Sequence, residues 1–207
     1  MPQRVSPNAV FLNVPYDEKF RILYLAYIVG LSQLGLEPRA TLEIPGGARR
    51  LDRILELIQG CRFSVHDLSR VEVDRAAPRT PRFNMPFELG LSVTWATLYP
   101  KRHTWFVCES KTRRLQKSLS DLDGTDPNIH GGTAEGVMRE LCNAFVRPRA
   151  MPSVPEMMES FRVVERQAEP IRQNAGATSL FEARVFKDLC FAARTAADLQ
   201  ASSSGGR

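Results

Sequence analysis

Glu88 is the residue in this chain best placed for chemistry. It lies in Phe83-Asn84-Met85-Pro86-Phe87-Glu88-Leu89-Gly90-Leu91, with no Lys or Arg within three positions. Such a glutamate is either a surface acid favoured by a helix N-terminus or a group held in a cleft. In a cleft its charge would stabilise positive charge developing on a substrate. Its neighbours favour a site, because Asp67, Ser69, Asn84 and Gly90 belong to the same strand–loop–helix unit. Residues 62–70 (RFSVHDLSR) read as a buried strand ending in an acid. Beyond the loop, Phe87, Leu91, Trp95 and Leu98 recur at the spacing of one apolar helix face. Asn84 is the predicted N-cap, with Pro86 in the first turn where its missing N–H costs little. Glu88 then stands about one turn into a helix that starts beside a strand's carboxyl end, where open α/β sheets bind ligands.

The elements that must position this unit alternate along the chain. Ala9 to Val14 is a short apolar strand suited to the middle of a parallel sheet, and Asn13 to Asp17 form its polar exit. A helix from about Glu18 to Leu34 ends at Gly35, and residues 37–43 form a less apolar strand nearer the sheet edge. Ile44 to Ala48 is a turn without the Gly-Lys-Ser/Thr of a P-loop. Arg49 and Arg50 follow it, either as phosphate contacts or as a surface pair opening the next helix. That helix carries Leu51, Ile54, Leu55 and Ile58 on one stripe and ends at Gly60.

Residues 71–82 have mixed charge and no periodicity, as in a ligand loop. Of Arg70, Arg75, Arg79 and Arg82, one could reach a diphosphate, the equal alternative being a disordered loop without function. His103 to Glu109 is a fourth strand, and residues 111–122 predict a short helix followed by a polar strand. His130 stands in a Gly-rich loop, either on the surface or against a ligand, and Thr133 caps the helix of Val137, Leu141 and Phe145. Prolines between 147 and 155 mark a boundary. Beyond it, Met157, Phe161, Val164 and Ala168 form one amphipathic helix, broken near Pro170. Leu180, Phe181, Val185, Leu189 and Ala192 form a second. The expected architecture is an α/β, flavodoxin-like, doubly wound parallel sheet of about five strands over 1–150. A helical hairpin over 151–200 must bury its stripes on the core or on a second subunit, and 201–207 is a disordered tail.

The string Asp67-Leu68-Ser69…Asn84-Met85-Pro86-Phe87-Glu88-Leu89-Gly90 resembles the D-L-S…N-x-x-x-E-L-G signature of the nucleoside 2-deoxyribosyltransferase and TIR-like superfamily. The strand Val10 to Val14 with its polar exit, at the right distance upstream, extends the resemblance over about residues 8–147. The chain departs from the transferases in lacking a Pro-Asp-Ser-Gly approach to the glutamate, and from typical TIR domains in its Asn-Met-Pro-Phe string. The resemblance implies an enzyme that cleaves an N-glycosidic bond of NAD or a nucleoside, with Glu88 catalytic. It implies that Asp67 and Ser69 bind sugar or base, and that Asn13 or Asn84 holds Glu88 or the ribose. NAD would be substrate, with no cofactor required. The alternatives are deoxyribosyl transfer and a non-catalytic nucleotide sensor or assembly module. Bacterial TIR-like relatives often act in antiviral defence, so a second copy or a defence partner protein is the expected macromolecular contact.

Composition narrows the classes further. The chain has 207 residues, 43% of them hydrophobic, enough for a full core. No run of eighteen apolar residues occurs, so no membrane partner is expected. The net charge of +5 falls wholly in the first 150 residues, since the remainder carries seven basic and seven acidic side chains. That mild field suits a phosphate-bearing small molecule, and no basic stripe with interleaved aromatics argues for nucleic acid. Four scattered cysteines and three isolated histidines predict buried thiols, no metal site and a cytoplasmic protein.

Overall fold

The computed structural model describes residues 5–43, 49–71, 79–122, 124–146 and 151–204. Five parallel strands stand in the order β2-β1-β3-β4-β5, the flavodoxin-like arrangement expected. They are β1 (Ser6–Asn13), β2 (Glu37–Ala40), β3 (Cys61–Asp67), β4 (Thr104–Glu109) and β5 (Asn128–Ile129). β1 pairs with β3 so that Asn13 faces His66, and β3 pairs with β4 so that Asp67 faces Cys108. β1 is apolar on both faces because it is central: Ala9 to Leu12 are all buried. The less apolar β2 lies at the edge. The fifth strand is Asn128–Ile129, immediately before His130, and not within 111–122. Residues 111–122 instead form a short helix, α4 (Arg114–Ser118), and a 3-10 turn. Two residues give too short a pattern for any periodicity to show.

By packing, the chain forms two compact units, Met1–Pro15 with Arg39–Gly132, and Tyr16–Pro38 with Thr133–Arg207. The first holds most of the sheet with α2 (Arg50–Gly60), α3 (Asn84–Leu98) and α4. Strand order rises in the same direction from β2 to β3 and from β3 to β4. Right-handed crossovers therefore set α2 and α3 side by side on one face, and the two helices are in contact. Ile54 and Ile58 of α2 pack with Ala9, Phe11 and Cys61, and Leu91 and Trp95 of α3 close that cluster.

α3 is rotated from the sequence expectation. Its buried residues are Met85, Glu88, Leu89 and Ser92, while Phe87 is 56% exposed and Leu98 65%. Apolar periodicity placed the aromatic rings inward. The helix instead turns a stripe of smaller and polar side chains to the sheet.

The second unit is helical. α1 (Arg21–Gln33) is buried from Leu23 to Ser32, as befits a helix surrounded by α5 (Ala134–Ala144), α6 (Val154–Asn174) and α7 (Ala183–Ser204). Gly35, at φ 67°, takes the left-handed position that ends α1. Thr133 caps α5 through the backbone N–H of Gly136, as its sequence position predicts.

The stripe Met157, Phe161, Val164 and Ala168 is fully inside, so α6 packs within this unit. A half-buried link, Gln33 Nε2 to Ser160 Oγ (2.6 Å) to Gln200 Oε1 (2.8 Å), ties α1, α6 and α7. The expected break at Pro170 does not occur. α6 runs on to Asn174 with Pro170 on its exposed side, held by packing along its length. α7 likewise continues through Ser204 into the predicted tail. A second, outward apolar strip of Val163, Ile171, Phe191 and Leu199 lines a groove of about 420 Å³ between α6 and α7. Among the described residues no helix is long and apolar enough to cross a membrane. The predicted turn at 44–48, part of the loop after β3 (72–78) and residues 147–150 lie outside the described residues.

Two glycines test this packing. A Cβ on Gly30 of α1 would stand 2.6 Å from Leu141 Cδ1 and 2.9 Å from Met138 Sδ, whereas a Cβ on Gly90 of α3 meets nothing within 4 Å. Gly30→Val should therefore lower stability in denaturant melts by about 2–3 kcal/mol through overpacking. Gly90→Ala should raise it by about 0.4–1 kcal/mol by restricting the unfolded chain. Equal melts for the two variants would contradict the α1–α5 interface.

Candidate functional site

The site is built where β1 and β3 end side by side, at the point where strand order reverses. Asn13, the last residue of β1, is buried, and its Nδ2 donates both to His66 Nδ1 (2.9 Å) and to Met85 O (3.1 Å). One amide thus fastens the first turn of α3 to the ends of two strands. Glu88 follows one turn later on the same side of the helix, 3% exposed. Burial raises its carboxyl from the ordinary value near 4.5 to about 7, with the charge of Arg50 pulling the other way. No described residue donates a hydrogen bond to it. One and two turns further on, Ser92 Oγ and Trp95 Nε1 are also buried without a partner among the described residues. The inner side of α3 from Glu88 onward thus carries polar groups that the described residues leave incompletely satisfied, a pattern found at functional positions.

Beneath it runs a buried chain of polar groups whose directions can be assigned from its two ends. His103 Nδ1 donates to the carbonyl of Cys61 (2.9 Å), which leaves Nε2 to accept from Ser64 Oγ (2.9 Å). Ser64 Oγ in turn accepts from His66 Nε2 (3.0 Å), and His66 Nδ1 accepts from Asn13. Every group is satisfied with both imidazoles neutral. Burial holds His66 neutral as well, lowering it to about 3, and lowers His103 in the same direction.

The other half of the edge is a second cluster. Gly132 N donates to His130 Nδ1 (3.0 Å), so the His130 proton sits on Nε2. From there it meets Asp67 Oδ2 at 3.0 Å and Ser69 Oγ at 3.1 Å. Asp67 Oδ1 accepts from Ser69 N (2.8 Å) and so fixes the turn that leaves β3. This is not a hydrolytic Ser-His-Asp relay, because serine and aspartate share one imidazole nitrogen instead of flanking the ring. Next to it Arg114 Nε and Nη2 grip Glu109 (2.7 and 2.5 Å), and Nη2 also reaches the carbonyl of Ser69 (2.6 Å). Arg113 supplies the turn into α4 at φ 62°, in the left-handed region that a non-glycine residue seldom takes.

The structure thus brings Asp67, Ser69 and His130 together, and joins Asn13 to the helix of Glu88. Asp67 and His130 have 0% side-chain exposure, so they act here as supports of the strand exits. Asn84 is exposed and is not the N-cap: helical geometry begins at Phe83, whose carbonyl accepts from Phe87 N, and Asn84 is the first helical residue. Arg82 is partly buried two residues before α3. Sequence reasoning did not single out Glu109, Arg114, Ser64, His66 or His103. The signal for two of them was present, since Ser64 and His66 alternate with Phe63 and Val65 in a central strand.

Among the described residues no group of three His, Cys, Asp or Glu side chains could hold a metal ion. None of the four cysteines forms a disulfide. Compared with family models, with curated proteins and with solved structures, the chain matches none of them.

The Glu109–Arg114 pair is buried on the acid's side, at 1% exposure. Arg114→Met should therefore cost about 3–5 kcal/mol by leaving a buried carboxylate unpaired. Adding Glu109→Gln should recover at least half of that loss. Urea melts of the single and double variants check it, and a neutral single variant would contradict the clamp.

Proposed function

We propose that the protein cleaves the N-glycosidic bond of a nucleotide-like substrate, NAD among the candidates, with Glu88 as the catalytic carboxylate. What carries this is Glu88 itself: a desolvated acid without a hydrogen-bonding partner among the described residues, one turn into the helix at the β1/β3 switch point. In such a reaction the C1′–N bond breaks with both electrons leaving on the base. The ribose becomes oxocarbenium-like, and a nearby anion lowers that barrier. Once it has lost its proton, a desolvated carboxylate acts strongly on that centre, because little solvent screens its charge. Attack by Glu88 on C1′ would give a covalent ribosyl ester, later resolved by water or another base. If Glu88 stays dissociated, water adds directly and the outcome is hydrolysis. Asn13 holds the glutamate's helix in register, and the Asp67–His130–Ser69 cluster holds the opposite rim.

Two measurements test the role of Glu88. For activity, Glu88→Gln keeps shape but removes charge, and base release should fall by about two orders of magnitude or more, near 3 kcal/mol of transition-state stabilisation. Wild-type turnover should rise with pH through about 7 as the carboxyl loses its proton. Undiminished base release from folded Glu88→Gln would falsify the mechanism, and an intact ligand held without turnover by either protein would make the site a sensor.

For stability, the raised value means that the folded state keeps a proton the unfolded chain has lost. Between about 4.5 and 7 stability should therefore fall as pH rises, and above 7 the deficit is constant. Its size is about 3 kcal/mol or less. Glu88→Gln should melt higher than wild type at pH 8 and level with it at pH 4.

A further inference from the structure

We propose that the outer face of α7 joins two copies of this chain, helix against antiparallel helix about a two-fold axis at Phe191, independently of any role for Glu88.

α7 is apolar on two sides. Its inner side, with Val185, Phe186, Leu189 and Ala193, is fully buried within the helical unit. Its outer side carries Phe191 at 74% exposure and Leu199 at 68%, and Val163 and Ile171 of α6 face them across the groove of about 420 Å³. Single exposed apolar side chains are ordinary on a protein surface, but a row of them along one groove belongs to an interface. A helix with apolar stripes on two sides has neighbours on both. One set of neighbours lies within this chain, and the groove awaits the other.

The charges around Phe191 indicate what covers this face. Arg184 lies seven residues before Phe191 and Asp198 seven after it, while Asp188 lies three before and Arg194 three after. All four are exposed, and these spacings keep them on the Phe191 side of the helix. Arg184 and Asp188 stand four residues apart, as do Arg194 and Asp198, so each pair could close along α7. Neither does, and among the described residues none of the four has an ion-pair partner.

A second α7 running antiparallel about Phe191 sets Arg184 level with Asp198 of the other copy, and Asp188 level with its Arg194. The two-fold repeats each match, so opposite charges meet on every charged layer but one, and there Lys187 falls level with the neutral Thr195. A parallel pair would set every charge level with itself. A second copy thus supplies by symmetry the alternation that an unrelated partner would have to match residue by residue. Phe191 stands at the centre, where a large aromatic side chain contributes most to association. The area also suffices. Two helices about 30 Å long and about 10 Å apart offer about 600 Å² per copy, or about 1,200 Å² in the pair, the lower bound of a stable specific interface.

The test is the concentration dependence of sedimentation of the full chain. Wild type should pass from the 23.3 kDa monomer to a dimer with a dissociation constant of about 10 µM or below. Phe191→Glu should weaken association by about thirtyfold or more while leaving the far-ultraviolet circular dichroism unchanged. A charge reversal reads the register with the aromatic residue intact. Arg184→Asp sets acid against acid twice in the dimer and should weaken it about tenfold, and adding Asp198→Arg should restore it. Arg162→Asp, at an exposed position of α6 outside the groove, should leave the dimer unchanged. A wild type that stays monomeric at about 100 µM would overturn the proposal and leave the groove to a partner of other chemistry. A dimer that survives Phe191→Glu would overturn the surface, and a double variant no tighter than Arg184→Asp would overturn the antiparallel register.

Discussion

The forked hydrogen bond of Asn13 is the contact on which the site depends. One side-chain amide donates to His66 on the neighbouring strand and to Met85 O in the first turn of α3. A buried amide with both N–H groups satisfied has one productive position, because either lost bond would leave a desolvated donor or acceptor costing about 1–3 kcal/mol. That fixes the start of α3 against the sheet, and Glu88 with it. The constraint propagates, since His66 accepts from Asn13 only while its other nitrogen donates to Ser64. That in turn sets the direction of the bond to His103 and Cys61. Charging either imidazole would place a second proton on an accepting nitrogen. The core beneath the site therefore contributes rigidity and no titrating charge across the neutral range.

The opposite rim is held by different physics. Asp67, Ser69 and His130 are tied by a backbone N–H, a hydroxyl and an imidazole nitrogen, and Arg114 secures the carbonyl of Ser69 while pairing with Glu109. A buried ion pair of this kind is not a net source of stability, since desolvation consumes most of its attraction. Its effect is positional. It holds the exits of β3 and β4 at one separation, and the backbone bond from His130 N to Glu109 O adds the start of the following loop.

Much of this was legible in the sequence where periodicity, length and punctuation coincide. The central apolar β1, the glycine that ends α1, the Thr133 cap and the inward stripe of α6 all follow from residue pattern alone. So does the position of Glu88 one turn into α3. Three features were not legible, each for a physical reason. The rotation of α3 was hidden because Phe87 and Leu98 look like core residues, whereas the stripe turned to the sheet is Met85, Glu88, Leu89 and Ser92. The two-residue β5 has no pattern long enough to read. The Arg114 clamp joins side chains from separate segments through a left-handed turn at Arg113, which no local preference announces. His130 was visible as a residue but not as a buried one, because its burial comes from Asp67, sixty-three positions away.

The energetics of Glu88 tie fold and site together. Desolvation that raises its carboxyl to about 7 disfavours the folded state at neutral pH. Replacement by an uncharged side chain of the same shape would relieve that cost, so the fold gains nothing from a carboxylate there. Ser92 and Trp95 add two more polar atoms that the described residues leave unsatisfied on the same face. Three such groups on one helix stripe are expensive for a protein that is only marginally stable. The surroundings meanwhile are well determined, with the Asn13 Nδ2, the Ser64 hydroxyl and all four ring nitrogens of His66 and His103 hydrogen-bonded. Strain confined to one stripe and a rigid support around it is the division expected when a helix face is shaped for a ligand's charge instead of for packing.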